Sequence, residues 1–472
     1  MADSAATIAA HVRARRLSAV ESATAALDTI SSADSDIHAF CTIDPDDALN
    51  QARAVDARLA KGDALPLAGV PVAVKDLILT KGLRTTFASP LYAQNIPDVD
   101  DVSVARLRAA GAIVIGKTNA SEFGYGPVGR NKLFPTTRNP WNPDLTTGGS
   151  SAGTGAAVAA GMVPLGLGSD GGGSIRIPAA LCGVVGMKAS WGRVPLFPGC
   201  RDESQPGASS WESLEHIGPL ATCVADLALC LSVIAGPTPD DRHSVPLEPG
   251  AFAIAPPESL RGLRIAYSAT LGFAKVEREI AERCAAAAAA FARAVGAALV
   301  EADPPVGDTH AMFDALVALD TDRDGLRRMA AAQRHVFEGA LGRLMARGWT
   351  ADEFTAAIMA RKKVARAMAR FMADFDLLLT PTTACAAYPL DAPEPKGWTP
   401  FTALANLTGQ PAASVPAGLT GDGRPVGLQI VGRHLADAQV LSVCAAFEAI
   451  LPWAALRPKI AAANRASGAS PV

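Results

Sequence analysis

The stretch that decides the fold runs from Gly148 to Lys188 and has the sequence GGSSAGTGAAVAAGMVPLGLGSDGGGSIRIPAALCGVVGMK. Two clusters of glycine and serine flank a run of small apolar residues. The residues from Thr154 to Met162 are typical of a helix that packs closely against its neighbours, because alanine has the highest helix propensity and little bulk. The segment from Leu145 to Ser169, which contains this predicted helix, carries no charged residue at all.

This uncharged segment is long enough to cross a membrane, but its content argues against that function. A spanning helix needs about 20 predominantly apolar residues, whereas this segment is rich in glycine, begins with polar residues and contains Pro164. The first part of the chain, Met1 to Leu17, contains arginines and no apolar core of a signal peptide. We therefore expect no membrane partner.

The composition of the whole chain excludes several other classes of protein. Its 472 residues carry 43 Lys+Arg and 46 Asp+Glu, a formal net charge of −3, which argues against a nucleic-acid partner. The 8 cysteines are scattered and form no C-x-x-C pair, so neither a zinc site nor a disulfide framework is expected. Reduced thiols are typical of the cytoplasm. We expect a cytoplasmic protein without a metal or another cofactor, with a homodimer as a possible assembly.

Helix and strand patterns alternate along much of the chain, which predicts an α/β fold. Ser18 begins a capping box that opens an N-terminal helix. The β-branched run over 67–74 predicts a buried strand that ends at Lys75, and a helix over 102–110 is followed by a strand over 112–116. We predict a central mixed β-sheet covered by helices on both sides.

The later part of the chain is predicted to be mostly helical. Alanine is frequent and helical patterns continue through residues 276–374. The basic stretch that begins at Arg361 is interpreted as a solvated helix face rather than an RNA-binding surface. Since no long polar linker is present, we predict one large α/β/α domain over residues 1–472. Its catalytic core is expected in residues 60–240 and 375–450.

Two familiar motifs in the glycine-rich stretch lack the context that their functions require. Residues 166–171 match the G-x-G-x-x-G dinucleotide fingerprint, but no acidic residue follows where one would hold a ribose. Residues 149–153 match the G-x-S-x-G elbow of α/β-hydrolases, yet residues 138–147 contain two prolines and predict no strand before it. His216 and His243 are therefore interpreted as structural residues rather than members of a Ser-His-Asp triad.

Taken together with Lys75, the quoted stretch resembles the signature of the amidase signature family, the Ser–Ser–Lys amidohydrolases. The resemblance covers residues 148–188 nearly throughout and extends to three further segments, residues 226–237, 375–382 and 406–429. Ala189 and Cys223 depart from the family pattern, and neither is expected to touch the catalytic residues. The resemblance implies an α/β fold and an enzyme that hydrolyses amides.

The family also implies a role for each of three residues. Ser174 would be the nucleophile that forms an acyl-enzyme. Ser150, preceded by a non-proline cis peptide bond, would relay the proton of Ser174 to Lys75. A lysine with a pKa near about 10.4 cannot act as a base at neutral pH unless burial keeps it neutral. The apolar strand before Lys75 supplies such surroundings, and Asp76 is expected to point to the opposite face of that strand.

The resemblance further implies the surroundings of the nucleophile. The backbone N–H groups of three glycines would form an oxyanion hole that binds the substrate, namely Gly171, Gly172 and Gly173. Three polar residues would support this loop without transferring protons, namely Ser151, Asp170 and Arg176. Of these, Ser151 would either hydrogen-bond nearby or simply cap a helix.

Two functions fit this resemblance. The first is a stand-alone amidase that hydrolyses the C–N bond of a small carboxylic acid amide to the acid and ammonia. The second is the glutaminase component of a tRNA-dependent amidotransferase complex, in which an acidic residue is expected shortly before the segment that begins at Asn406. Residues 396–405 contain no carboxylate, and the W-x-P-F pattern at 398–401 resembles stand-alone amidases. We therefore favour the first function.

The preferred amide is only partly indicated by the sequence. Six aromatic residues lie in segments that border the site in the family, and they would form an apolar or aryl pocket or belong to ordinary core: Phe123, Tyr125, Phe134, Trp191, Phe197 and Trp211. We expect uncharged apolar or aromatic amides to be preferred over glutamine.

Overall fold

The computed structural model describes residues 3–198 and 212–458. In these ranges the chain forms thirteen strands, numbered here in chain order: β1 (Phe40–Ile43), β2 (Pro71–Lys75), β3 (Ile113–Thr118), β4 (Arg138–Asn139), β5 (Asn142–Thr146), β6 (Leu165–Ser169), β7 (Val185–Lys188), β8 (Ile217–Ala221), β9 (Arg264–Tyr267), β10 (Ala298–Glu301), β11 (Leu377–Pro381), β12 (Ala412–Leu419) and β13 (Pro425–Gly432). The same ranges form fourteen α-helices: α1 (Ala5–Arg13), α2 (Ala19–Ile37), α3 (Pro45–Ala60), α4 (Val102–Ala109), α5 (Ala152–Ala159), α6 (Arg176–Cys182), α7 (Val224–Ile234), α8 (Arg278–Val295), α9 (His310–Leu319), α10 (Arg323–Gln333), α11 (Gly339–Ala346), α12 (Ala351–Asp374), α13 (Ala403–Thr408) and α14 (Asp437–Ile450). None of the helices so described has both the length and the apolar character needed to cross a membrane.

Eleven strands form one mixed sheet in the order β1-β3-β2-β6-β8-β7-β12-β13-β11-β9-β10. Strand β2 lies between β3 and β6 and is parallel to both. Antiparallel pairs then connect β6 through β8, β7, β12 and β13 to β11. The remaining two strands, β4 and β5, form a separate antiparallel pair. The predicted α/β fold with a mixed central sheet is confirmed.

The two faces of the sheet are covered by different helices, because side chains alternate along each strand. In β2, Val72 and Val74 pack in one apolar core with residues of α4, α7, α8 and α14. Ala73 packs in a second core with residues of α2, α3, α5 and α6. By the same alternation, Lys75 points to the side of the sheet on which α5 lies.

The predicted helical segment contributes a third apolar cluster beside the end of β2. Leu77 and Leu79, which follow β2, pack with apolar residues of α9, α10, α11 and α12. The prediction missed one strand in this segment, since β10 pairs with β9 at an edge of the sheet. Strand β10 has only four residues and three of them are exposed, so it lacks the apolar run by which a buried strand is recognised.

Several local predictions are confirmed, and two are corrected. The Ser18 capping box is present at the start of α2, and α4 begins at the predicted residue. The first correction concerns residues 138–147, which form β4 and β5 although no strand was expected there. The second concerns Arg361, which is not simply solvated: it donates to the carbonyls of Leu407 at 2.9 Å and Ser213 at 2.7 Å.

Helix α5 approaches its neighbours more closely than a helix with larger side chains could. A Cβ atom at Gly153 would overlap the carbonyl oxygen of Ala39 and lie 2.5 Å from the backbone nitrogen of Asn119. The Gly153 N–H donates to the carbonyl of Asn119 at 2.9 Å. Direct packing of backbone on backbone therefore requires glycine at this position.

Replacing Gly153 by alanine should destabilise the protein, although glycine to alanine within a helix normally stabilises it by about 1 kcal/mol. The added methyl group must displace α5 or the backbone it touches, and overpacking costs about 1–3 kcal/mol. Thermal unfolding followed by circular dichroism should show a lower Tm. Gly348→Ala is the control, because no atom lies within 4 Å of its added Cβ. A Tm for Gly153→Ala equal to that of the control would contradict this explanation.

Candidate active site

The carboxyl ends of two parallel strands bring Lys75 and Ser169 together. Because β2 and β6 are neighbours, with Val74 opposite Leu167, they end at the same edge of the sheet. Lys75 Nζ donates to Ser169 Oγ at 2.9 Å and to the Ser169 carbonyl at 3.3 Å. The Lys75 side chain is fully buried. Burial disfavours the charged form of an amine, as the sequence argument requires of a lysine base.

Ser150 is a further partner of Lys75. Its hydroxyl accepts a hydrogen bond from Lys75 Nζ at 2.7 Å, and the residue is almost completely buried just before α5. The Gly149–Ser150 peptide bond is cis, the geometry that the family resemblance implies. A Cβ atom at Gly149 would lie 3.0 Å from the backbone of Val128. The backbones of Gly149 and Val128 therefore pack directly against each other.

Ser174 lies in the loop after β6 and is joined to the start of α5. Its carbonyl accepts from the Ser151 N–H at 3.2 Å, while Ser151 Oγ donates to the Ser169 carbonyl at 3.1 Å. Ser151 therefore connects both serine-bearing segments, and its side chain makes no helix-capping bond. In the described ranges, the Ser174 hydroxyl makes no hydrogen bond to Ser150 or to another residue, and Ser174 is 9% exposed.

The glycine loop before Ser174 is held by bonds on two sides. The Gly173 N–H donates to Asp170 Oδ1 at 2.7 Å, and the Gly172 carbonyl accepts from Thr402 Oγ1 at 2.6 Å. Gly173 has a φ of +126°, which favours glycine. Of the three N–H groups expected to form an oxyanion hole, that of Gly173 therefore already has an acceptor. Those of Gly171 and Gly172 have none within residues 3–198 and 212–458.

Asp170 and Arg176 form a fully buried, bidentate ion pair beneath this loop. Arg176 Nε lies 2.9 Å from Asp170 Oδ2, and Nη2 lies 2.8 Å from Oδ1. Burial raises the pKa of Asp170, but the charge and hydrogen bonds of Arg176 outweigh it and hold that pKa well below its usual range. Asp170 is thus a permanent carboxylate, which fits a supporting role and not proton transfer.

Arg176 also reaches three residues from a distant part of the chain. Nη1 donates to the Thr402 carbonyl at 2.9 Å and to Gln429 Oε1 at 2.6 Å, and Nη2 donates to Asn406 Oδ1 at 2.7 Å. Asn406 and Gln429 lie in a segment that resembles the family, so a signal for them was present in the sequence. Thr402 precedes that segment, and nothing in the sequence singled it out.

One side of the site is apolar. A Cβ atom at Gly124 would lie 3.6 Å from Ser150 Oγ, and the residues on either side of it, Phe123 and Tyr125, pack in the cluster with Leu77 and the covering helices. A ring carbon of Phe313 in α9 lies 2.6 Å from the position of a Cβ at Gly172. Phe313 was missed by the sequence analysis, because helical periodicity does not reveal which loop a helix will cover.

Three of the other aromatic residues considered for a pocket, Phe134, Trp191 and Phe197, do not belong to this cluster. Phe134 lies beside Arg84, whose guanidinium is 5.7 Å from the ring centroid. Trp191 packs on His243, with ring centroids 4.7 Å apart, and Phe197 is largely exposed. Trp211 lies outside the described residues. Of the five that lie in the described residues, Phe123 and Tyr125 adjoin Gly124 and so lie close to Ser150.

Three further titratable residues are two histidines and Lys188, another buried lysine. His216 Nδ1 bonds the Leu214 carbonyl at 2.8 Å, and burial lowers the pKa of His216 well below its usual value. His243 Nε2 lies 3.0 Å from a carboxylate oxygen of Glu212, and within the described ranges neither histidine bonds Ser150 or Ser174. Lys188 donates to the Gln410 carbonyl. Burial, aided by the charge of Arg176, lowers the pKa of Lys188 to about 7.

Comparisons with known proteins match the chain over nearly its whole length. The family model described as Amidase matches residues 21–441. An acylamidase from Rhodococcus erythropolis is 37% identical over 96% of this chain and 97% of its own length. A component of the glutamyl-tRNA(Gln) amidotransferase of Chloroflexus aggregans is 36% identical over 96% of this chain and 98% of its own length. The crystal structure of a bacterial aryl acylamidase superposes with a TM-score of 0.88 at 28% identity, covering 100% and 99% of the two chains.

Lys188 should make the stability of the protein depend on pH above neutrality. Its pKa is about 7 in the folded protein and 10.5 as a free side chain, so between these values only the unfolded chain binds the proton. The free energy of unfolding should therefore rise with pH, by up to about 1.4 kcal/mol per unit, and the Lys188→Met variant should lack this contribution.

The measurement is urea unfolding of both proteins at several values between about pH 7 and pH 9. The difference in unfolding free energy, wild type minus Lys188→Met, should become more positive as the pH rises. Lys362→Met removes an exposed lysine and serves as the control. A difference that stays constant over this range would mean that Lys188 is charged throughout.

Proposed function

Because the chain belongs to the amidase family and is a hydrolase that acts on amides, we propose that Lys75, Ser150 and Ser174 are its catalytic triad. One observation carries this proposal above the others. Lys75 Nζ bonds Ser150 Oγ at 2.7 Å in a fully buried setting, and Ser169 holds the same amine at 2.9 Å. In its neutral form, Lys75 donates its two N–H groups to Ser169 and accepts from the Ser150 hydroxyl across the same 2.7 Å contact, along which a proton can pass.

In the proposed acylation step, Ser174 Oγ attacks the carbonyl carbon of the amide. The proton of Ser174 passes to Ser150, and that of Ser150 passes to Lys75. The N–H groups of Gly171 and Gly172 donate to the oxyanion of the tetrahedral intermediate. When the C–N bond breaks, the proton returns along the same path to the leaving nitrogen. Ammonia departs and Ser174 carries the acyl group.

Water completes the reaction in the proposed deacylation step. It loses a proton through Ser150 to Lys75 as it attacks the acyl carbon, and a second tetrahedral intermediate forms. Its collapse breaks the bond to Ser174 Oγ, which regains the proton. The carboxylic acid is released and the triad is restored. Ser151, Asp170 and Arg176 take no part in these transfers and hold the two serine segments in position.

The residues that precede Asn406 support a stand-alone amidase over the glutaminase component of an amidotransferase. Trp398 and Phe401 are buried in the stretch where the amidotransferase is expected to carry an acidic residue. The nearest carboxylate in the sequence, Glu394, accepts from the indole N–H of Trp398 at 2.9 Å. An ammonium-bearing substrate such as glutamine therefore lacks the acidic partner expected here.

The apolar side of the site supports an uncharged apolar or aromatic acyl group. The ring of Phe313 lies against Gly172, and the cluster that contains Phe123, Tyr125 and Leu77 borders Ser150. Among the similar proteins, one is named an acylamidase and another an aryl acylamidase. We propose a small apolar or aryl carboxamide as the substrate, in preference to glutamine.

We also propose a domain organisation, a cellular compartment and a class of partner for the enzyme. Residues 60–240 and 375–450 would form the catalytic core of a single domain, and residues 276–374 would cover it. The seven cysteines in the described ranges are free thiols, which supports a reducing compartment such as the cytoplasm. The net charge of −3 supports a small-molecule partner over a nucleic acid. A homodimer stays a prediction.

Removing a triad residue should abolish turnover without unfolding the protein. Ser174→Ala and Lys75→Met should each lower the rate of ammonia release by about 10⁴-fold or more, the usual effect of losing a nucleophile or its base. Ser442→Ala removes the hydroxyl of a buried serine in α14 and should leave the rate unchanged. Circular dichroism checks folding. Substantial turnover by a variant would remove its residue from the triad.

The preferred substrate is tested by ammonia release from acetamide, benzamide, phenylacetamide and glutamine. We expect hydrolysis of the apolar amides and little of glutamine, and activity confined to glutamine would overturn the choice of function.

Phe313→Ala should lower kcat/KM for benzamide about tenfold relative to acetamide, because an apolar contact is lost. Trp191→Ala, which removes an aromatic residue that packs on His243, is the control. An unchanged ratio would place Phe313 outside the acyl pocket.

A further inference from the structure

The peptide unit between Gly172 and Gly173 is anchored at both of its polar ends. Thr402 Oγ1 donates to the Gly172 carbonyl at 2.6 Å, and the Gly173 N–H donates to Asp170 Oδ1 at 2.7 Å. A peptide unit is planar, with its carbonyl and N–H on opposite sides. Two bonds in opposite directions therefore fix the rotation of the whole plane.

This anchoring matters because the loop consists of glycines. Glycine has access to a much wider range of backbone angles than other residues, so three in a row do not hold a conformation by themselves. The peptide unit before it carries the N–H of Gly172, one of the two proposed oxyanion donors, and the unit after it carries the N–H of the nucleophile Ser174. The direction of these donors depends on the orientation of the anchored unit between them.

The backbone at Thr402 is held in place by hydrogen bonds to its carbonyl groups. Thr402 is completely buried, and its carbonyl accepts from Arg176 Nη1 at 2.9 Å, so the same guanidinium holds both Asp170 and Thr402. The carbonyl of the preceding Phe401 accepts from Gln429 Nε2 at 3.2 Å. A Cβ atom at Gly173 would overlap the Thr402 side chain, so the two residues fit together closely.

We propose that Thr402 is a positioning residue, which aligns the backbone donors of the glycine loop with the oxyanion that forms during acyl transfer. This inference rests on the proposed function, since it needs an oxyanion at that loop. The Thr402 hydroxyl acts through the Gly172 carbonyl and touches no reacting atom. Its effect should therefore fall on the transition state, where donor alignment counts, more than on substrate binding.

The test compares variants that differ in one hydroxyl group. Thr402→Val keeps the shape of the side chain and removes the hydroxyl, whereas Thr402→Ser keeps the hydroxyl. Thr408→Val is the matched control, because Thr408 ends α13, the helix that Thr402 precedes, and its hydroxyl bonds the Leu404 carbonyl at 2.9 Å instead of the loop. Each variant is assayed with whichever amide of the four is hydrolysed fastest by the wild-type enzyme.

Thr402→Val should lower kcat about 10- to 100-fold with KM nearly unchanged, the effect of a small misalignment at the reacting centre. Thr402→Ser should recover most of the rate, and Thr408→Val should match the wild-type enzyme. The boronic acid that carries the acyl substituent of that amide imitates the tetrahedral intermediate. It should bind Thr402→Val more weakly by a similar factor, while the carboxylic acid product binds as before.

Several outcomes would overturn the inference. Wild-type kcat in Thr402→Val, a serine variant as slow as the valine variant, or a boronic acid affinity that does not change would each do so. If Thr402→Val does not fold, Thr402→Ala carries the same comparison with less bulk. The parallel assay of Ser174→Ala distinguishes a failure of the proposed function from a failure of the role of Thr402. An active Ser174→Ala would refute the proposed function, whereas an inactive one beside a fully active Thr402→Val would refute only the role of Thr402.

Discussion

The buried ion pair of Asp170 and Arg176 constrains the whole loop that carries Ser174. Two charges removed from water are tolerated only when the remaining donors and acceptors around them have partners. These partners come from the glycine loop, from α13 through Asn406 and from β13 through Gln429. Because such a pair adds little net stability compared with apolar side chains, we regard its main effect as fixing where these distant segments meet.

The proposed role of Lys75 as a neutral base would require surroundings without an unbalanced charge. The uncharged segment from Leu145 to Ser169 provides both of its serine partners, and the first charge beyond it, Asp170, is neutralised by Arg176. Asp76 is turned to the other side of the strand, where it accepts bonds from the backbone of Thr86 and Ala88. The alternation of side chains along β2 thus separates a carboxylate from an amine that adjoins it in sequence.

The sequence predicted the features that depend on local pattern and on the family signature. The strand that ends at Lys75, the capping box at Ser18 and the α/β sheet follow from periodicity, and the resemblance indicated the residues that meet around Ser150. Phe313 and Thr402 could not be predicted, because their importance arises from contacts between segments more than a hundred residues apart. The contacts of Arg361 also escaped prediction, because its basic neighbours suggested a solvated face, whereas its own guanidinium reaches Leu407 and Ser213.

We expect the catalytic chemistry and the choice of substrate to depend on different parts of this molecule. An acylamidase and an amidotransferase component resemble the chain almost equally, so overall similarity does not separate the two activities. The bonds of Asp170, Arg176 and Thr402 lie beneath the glycine loop, whereas Phe313 reaches it from the covering helices on another side. Substitutions in those helices can therefore change the proposed acyl pocket without breaking a bond that orients the loop. If the proposed function holds, the residues that distinguish one amide from another are to be sought in the covering helices, and those that set the rate of acyl transfer beneath Ser174.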